Sequence, residues 1–408
     1  MRITRRATVA SVGAVPFLPR RGHAQGQVIR LGVLTDMTGM YRDTSGQTTV
    51  VCVQQAVEDF RAIAPDIRVE VVSADHQHRP DVGVTTARRW FDQQGVDVIL
   101  DVNNSAIALA INTVVQEKDK VHLNSGAVSS DLTGPRCSPN TLHWTLDTWS
   151  NSRATARALL EQGHRDWFFI TADYAFGHLL QSDTSRVVEE AGGRIVGAVR
   201  YPFPGTTDFS SYLIQARTRG ARVLGLCNAG VDLNNSVQQA REFGLTRQGI
   251  RLAAPIALLT NVHGLGLEVA QGLVLSEPFY WDMSARSRAF TERVRPKTPN
   301  NLPSSIHAGA YSAALHYLKA VARIGVPAAK ASGRATIEVM RQLPIEDDVY
   351  ERATIRSDGR VLFPARVWDV KAPEESRGPW DYLKPRATIP AEQAFRPLAE
   401  GNCPLIRA

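Results

Sequence analysis

Three short stretches put amides, hydroxyls and glycine where a small polar or anionic molecule could be held. They are Asn103-Asn104-Ser105, Asn124-Ser125-Gly126-Ala127-Val128 and Asn228-Ala229-Gly230. Each follows an apolar run and precedes an amphipathic one, so each falls where a strand gives way to a helix. Free backbone N–H groups collect at helix N-termini, and small residues let a carboxylate or amide approach them. Tyr41, Tyr174 and Phe176 stand at junctions of the same kind and offer flat apolar walls. Singly, Asn, Ser and Gly are ordinary cap and turn residues. Together they describe a cradle for a small ligand.

Other chemistry finds less support. His76-x-His78, with Asp75 and Asp81 close by, has metal-ligating residue types, but it reads more simply as a polar loop between strand and helix. No Gly-x-Ser-x-Gly elbow and no Gly-x-x-x-x-Gly-Lys-Ser/Thr loop occurs. Gly264-Leu265-Gly266-Leu267-Glu268-Val269 begins like a dinucleotide loop but lacks the strand-to-helix setting. No nucleophile–base pair stands out. The expectation is a binding protein, not an enzyme, with no cofactor and no metal.

The elements that must position these residues alternate. Val28–Leu34, Ile67–Ala74, Val96–Val102 and Val121–Asn124 read as strands; Thr44–Ile63, Val82–Gln94 and Ala106–Glu117 read as helices. A second series repeats the pattern: helix Ser150–Gln162, strand Trp167–Ala172, helix Phe176–Ala191, strand Arg194–Tyr201, helix Phe209–Arg219, strand Arg222–Cys227, helix Leu233–Phe243 and a short strand Arg251–Ala254. Helices follow at Arg286–Arg295, Ser305–Ile324 and Thr336–Leu343. Tyr350–Arg356 and Val361–Val370 flank a Ser-Asp-Gly turn as a hairpin, and a Pro-rich tail begins at Ala372. Units of this size predict two doubly wound α/β lobes, whose ligands lie at the carboxyl ends of parallel strands.

The 408 residues fit two domains, and 43% hydrophobic with 21% charged residues is ordinary for a globular chain. The net charge of +7 invites a nucleic-acid reading. Its source argues otherwise. Arg2, Arg5 and Arg6 precede the small apolar run Ala7–Leu18, and Gly22-His23-Ala24 resembles a cleavage site, which is the pattern of a secretory signal peptide over 1–24. Cleavage near Ala24 removes five arginines and no acid, lowering the charge to +2. No dense basic cluster interleaved with aromatics remains, so no nucleic-acid partner is expected. Cys52 and Cys227 fall in apolar runs, whereas Cys137 and Cys403 lie in loops. Export makes a Cys137–Cys403 disulfide the expected pairing.

Five segments carry a resemblance. They are Leu31-Gly32-Val33-Leu34-Thr35-Asp36-Met37-Thr38-Gly39, Asp75–Gly83, His122-Leu123-Asn124-Ser125-Gly126-Ala127, Asp173-Tyr174-Ala175-Phe176-Gly177 and Gln238–Leu245. In their order and spacing the chain resembles the leucine/isoleucine/valine-type periplasmic binding proteins, the type I solute receptors of ABC importers. That resemblance implies lobe 1 from 25–145 and 278–360, lobe 2 from 146–277 and 361–375, three crossovers near 140–148, 275–283 and 355–365, and a tail 376–408 packed on the lobes. It implies a periplasmic monomer whose partners are a small ligand and an inner-membrane permease with its separate ATPase subunit. An alternative is a ligand sensor of the amide-regulator type on the same fold; a secreted enzyme is the weakest reading. By position, the ligand contacts fall on Asn103, Asn104, Ser105, Gly126, Ala127, Val128, Tyr174 or Phe176, and Asn228 to Gly230, with Tyr41 as a wall and Asn124 among the polar groups. The chain departs from the amino-acid binders twice. Val128 stands where they usually have Thr, and Pro255–Asn261 lacks the Glu that meets the ligand's ammonium. A buried ammonium without a counter-charge is costly. The expected ligand is a small carboxylate, amide or amino-acid-like molecule captured in the interlobe cleft by hinge closure, with acids or amides that lack an α-ammonium favoured.

Overall fold

The computed structural model describes residues 28–298 and 300–406. The proposed signal peptide lies outside the described residues. The first α/β unit is built on β1 (Ile29–Thr35), β2 (Val69–Asp75), β3 (Val98–Asp101), β4 (Val121–Asn124) and β5 (Thr141–His143). These strands are parallel in the order β2-β1-β3-β4-β5. The connecting helices are α1 (Gly46–Phe60), α2 (Pro80–Gln93) and α3 (Ser105–Lys118). β3 and β4 are buried throughout, and the Val98-Ile99-Leu100 run of β3 has the unbroken apolar character of a strand covered on both faces.

The second unit runs through α4 (Thr148–Leu160), β6 (Asp166–Ala172), α5 (Ala175–Glu190), β7 (Arg194–Tyr201), α6 (Ser210–Thr218), β8 (Val223–Cys227), α7 (Gly230–Glu242) and β9 (Arg251–Ala253). Its strands are parallel in the order β7-β6-β8-β9. The short helices α8 (Leu259–Leu265) and α9 (Leu267–Ala270) then lead to β10 (Val274–Ser276). The chain continues through α10 (Ala285–Val294), α11 (Ser305–Ile324), α12 (Val326–Ala331) and α13 (Gly333–Gln342). α1 lies along α11, and both contribute to the first core with Trp144, Phe279, Phe290 and Tyr350.

The C-terminal region departs from the expected pattern in two places. The expected strand Val361–Val370 is broken at Phe363-Pro364, because proline cannot donate to a ladder. It forms β12 (Val361–Leu362), paired with β11 (Thr354–Ile355), and then β13 (Ala365–Val370). The expected Pro-rich tail contains a further strand, β14 (Leu383–Ile389), which completes the antiparallel sheet β10-β13-β14. Trp380 and Leu383 enter the second core, while Ala394 and Phe395 enter the first. The Cys137 and Cys403 sulfurs are joined, with Cα atoms 5.6 Å apart, so the chain's end is tied to the loop after β4. Cys52 and Cys227 are buried free thiols.

Buried polar groups bind the segments that pass between the cores. Arg360 and Asp147 are both almost fully buried and 3.4 Å apart. The Arg360 guanidinium also donates to the Thr145 carbonyl and lies over the Phe395 ring. Asp147 accepts from the Ser150 N–H as the N-cap of α4. One ion pair thus fixes the chain leaving β5 to the chain approaching β12.

Candidate functional site

Residues that follow the strand ends of the two units line one cavity. The first unit supplies Tyr41 and Thr44 after β1, Asn103 and Ser105 after β3, and Gly126 and Val128 after β4. Tyr174 and Phe176 follow β6, Ala229 follows β8, Ile256 and Leu258 follow β9, and Ile306 comes from α11. No Asp, Glu, Lys or Arg is among these lining residues.

Asn103 is oriented by its surroundings. Its Oδ1 accepts from the Asp36 N–H at 3.1 Å and faces His76 Nε2 at 2.7 Å. His76 Nδ1 in turn accepts from the His78 N–H. Both contacts require the neutral Nε2–H tautomer, and burial keeps the His76 ring neutral by lowering its pKa to about 4. With Oδ1 occupied, Asn103 Nδ2 is a buried donor without a partner in the protein. His78 performs a similar task. Its Nε2 meets Asp36 at 2.7 Å and its Nδ1 meets Asn104 Nδ2 at 3.2 Å. Asn104 Oδ1 is then free to cap α3 through the Ala106 and Ile107 N–H groups. Burial tends to raise Asp36, but His78 and the Tyr41 and Gly39 N–H groups outweigh it and hold the carboxyl near 2. The His-x-His pair therefore positions two asparagines. Among the described residues no cluster of three or more His, Cys, Asp or Glu is arranged to hold a metal ion.

Close packing shapes the floor and the rim. A Cβ on Gly126 would collide with the Asp101 carboxylate and with Asn103. That carboxyl is fully buried, and burial pushes it up to about 7. At the rim the Tyr41 and Tyr174 hydroxyls are 2.7 Å apart, and the Tyr174 ring stacks on Phe203 at 4.4 Å. Beside them the Val231 N–H donates to the Met40 carbonyl at 3.1 Å. Gly230 has φ +58° there, and any side chain on it would strike Met40 and Tyr41. Asp232 is buried on α7, accepts from the Tyr201 hydroxyl, and is raised by burial to about 6. It is not one of the lining residues.

Of the residues expected from sequence, Tyr41, Asn103, Ser105, Gly126, Val128, Tyr174 and Phe176 come together around the cavity. Asn104, Asn124, Ala127, Asn228 and Gly230 do not line it. Asn124 is spent on a turn, bonded through both side-chain atoms to Ala127. Asn228 donates to Ser236, Asn104 caps α3, and Gly230 borders a neighbouring polar cavity with Asn234, Asn261 and Thr260. Ala229 lies within the expected Asn228 to Gly230 stretch and does line the cavity, whereas Thr44, Ile256, Leu258 and Ile306 were not expected, since single residues of these types carry no local signal. The 255–261 loop contains no acid, as its sequence says. Instead Glu277 reaches it from beyond β10 and accepts from the Leu259 N–H, the Ser305 N–H and the Ser305 hydroxyl.

Comparison with known proteins agrees with this architecture. Residues 28–377 match the periplasmic binding protein family. A periplasmic binding protein from Burkholderia mallei is 40% identical with a TM-score of 0.88, over 93% of this chain and 100% of its own. A branched chain amino acid ABC transporter periplasmic ligand-binding protein from Burkholderia xenovorans is 39% identical with a TM-score of 0.80, over 92% of this chain and 99% of its own. Leu/Ile/Val-binding protein homolog 6 of Brucella abortus is 25% identical over 68% of this chain and 71% of its own. The chain belongs to the periplasmic binding protein family. It is a solute-binding protein of the ABC transporter type.

Proposed function

We propose that this protein captures a small carboxylate or amide with a branched aliphatic or aromatic body, and delivers it to an inner-membrane permease served by a separate ATPase. The observation that carries this reading is the pairing of an unspent donor, Asn103 Nδ2, with a lining that has no charged side chain. An N–H donor suits a carboxylate or amide oxygen. An α-ammonium would find no acid among the lining residues and would lose its hydration without replacement. Val128 stands where the resembling amino-acid binders usually have Thr, and the loop that carries Ile256 and Leu258 lacks their Glu. Tyr41, Tyr174 and Phe176 suit a flat or branched body. The ligand would bridge two lobes, and its differential affinity would favour the closed arrangement. In this reading the mature chain begins near Gln25 in the periplasm.

A thermal-shift screen of paired acids, with and without an α-ammonium, tests the assignment in wild type and Asn103→Asp. Ligand at about 100 times its dissociation constant adds about 2.7 kcal/mol, a shift of several degrees. Acids lacking the ammonium should stabilise wild type and lose that effect in Asn103→Asp. Equal stabilisation of both proteins would remove Asn103 from the site.

A further inference from the structure

The second sheet carries an arginine at or just before the start of each of its four parallel strands. Across the order β7-β6-β8-β9 these are Arg194, Arg165, Arg222 and Arg251. They are neighbours through the backbone: the Arg194 N–H donates to the Arg165 carbonyl at 2.7 Å, and the Arg251 N–H to the Arg222 carbonyl at 2.9 Å. With strands spaced about 4.8 Å apart, the row is roughly 14 Å long. All four arginines are exposed. This edge is the end of the sheet opposite the ligand cavity.

The charge of the row is largely uncompensated. Arg194 pairs with Asp166, but Arg165, Arg222 and Arg251 have no ion pair among the described residues. The corresponding end of the first sheet is different. There Arg30 and Arg68 share Glu70, while Lys120 and Lys330 share Asp97. Beside Arg251 the row continues into a groove lined in part by Arg241, Arg247 and Arg386. Arg386 is paired with Asp369, but the Arg241 Nε is buried without a partner. Phe243, at the end of α7 between Arg241 and Arg247 in sequence, is 41% exposed. The acids near this pole lie at helix ends, namely Glu161, Glu189, Glu190 and Glu242, and Glu190 is already engaged by Arg153.

We propose that this pole docks on an anionic phospholipid surface. A straight row of guanidinium groups along a sheet edge matches many phosphates at once, and guanidinium is the side chain best suited to phosphate geometry. An exposed aromatic beside the row supplies an apolar contact at headgroup depth. The docking leaves free the cavity at the opposite ends of these strands, so it does not depend on the identity of the transported ligand.

Cosedimentation of the full mature chain with phosphatidylglycerol-containing and pure phosphatidylcholine vesicles tests the proposal. Binding is expected only to the anionic vesicles, and should fall steeply with added salt. The triple variant Arg222→Gln/Arg247→Gln/Arg251→Gln should weaken binding by more than about tenfold. A control removing three exposed arginines elsewhere, Arg61→Gln/Arg295→Gln/Arg323→Gln, should change it by less than about threefold. Both variants alter exposed side chains, and unchanged melting curves verify their fold. Equal loss in the two variants, or no preference for anionic vesicles, overturns the proposal. So does abolition of vesicle binding by inorganic phosphate at constant ionic strength, which would indicate a discrete phosphate pocket.

Discussion

The Tyr41 and Tyr174 hydroxyls meet 2.7 Å apart and join loops that belong to different sheets. Both rings are buried enough that burial raises their pKa values well above the usual phenol range, so both remain neutral donors and acceptors. This bond and the Val231–Met40 backbone bond hold the two units together at the cavity rim. Phe203, stacked on Tyr174, covers the same place.

The bond should appear in a double-mutant cycle. Tyr41→Phe and Tyr174→Phe each leave one hydroxyl stranded, at a cost of about 1–3 kcal/mol. The double variant should cost less than the sum, because it leaves no orphan. Denaturant unfolding measures this. Strict additivity would mean that the hydroxyls do not interact.

The Arg360–Asp147 pair should be essential for stability. Arg360→Met leaves Asp147 buried and partly unpaired, and breaking such a pair costs about 3–5 kcal/mol. Chemical denaturation should show the midpoint falling accordingly. A loss under about 1 kcal/mol would mean that the Asp147 carboxylate is solvated or satisfied elsewhere.

Cys403→Ser should lower stability without changing ligand affinity. The bridge closes a sequence separation of 266 residues, and neither cysteine is among the residues that line the cavity. By chain entropy such a bridge is worth about 2–5 kcal/mol. Melting curves and a binding titration on the same variant separate the two effects. A large loss of affinity would place the tail in the binding cycle.

Much of the architecture was legible because its signals are local. The expected helix Ser305–Ile324 has those bounds in the structure, with Ser304 before it and Gly325 after it as its caps. β14 was missed because Pro385 interrupts it and most of its residues are exposed, leaving no apolar pattern. The cavity was half legible. Asn103 and Ser105 stand at a strand-to-helix junction, where amides advertise themselves. Ile256, Leu258 and Ile306 meet them only after the chain folds. The His76 and His78 loop looked like a possible metal site because sequence shows residue types but not their partners. Its partners are Asn103, Asn104 and Asp36.

Acid should destabilise the protein partly through His122. Burial lowers its pKa from 6.5 to about 3, and its Nδ1 lies 3.3 Å from the Asn112 side-chain oxygen. The folded state thus binds this proton less readily than the unfolded chain. The His122 contribution is complete above about pH 6.5 and declines as pH falls toward 3. His122→Gln, which keeps a donor for Asn112, should reduce the stability loss between pH 6.5 and 4.5 by about 2–3 kcal/mol. An unchanged slope would show that His122 does not stay neutral.

The cavity should accept a small carboxylate and reject an α-ammonium. The most direct measurement is calorimetric titration of the wild-type protein with leucine and with 4-methylpentanoate, which is leucine without its amino group. With no counter-charge among the lining residues, 4-methylpentanoate should bind tighter than leucine by at least about tenfold. Micromolar leucine binding with no detectable binding of 4-methylpentanoate would contradict it.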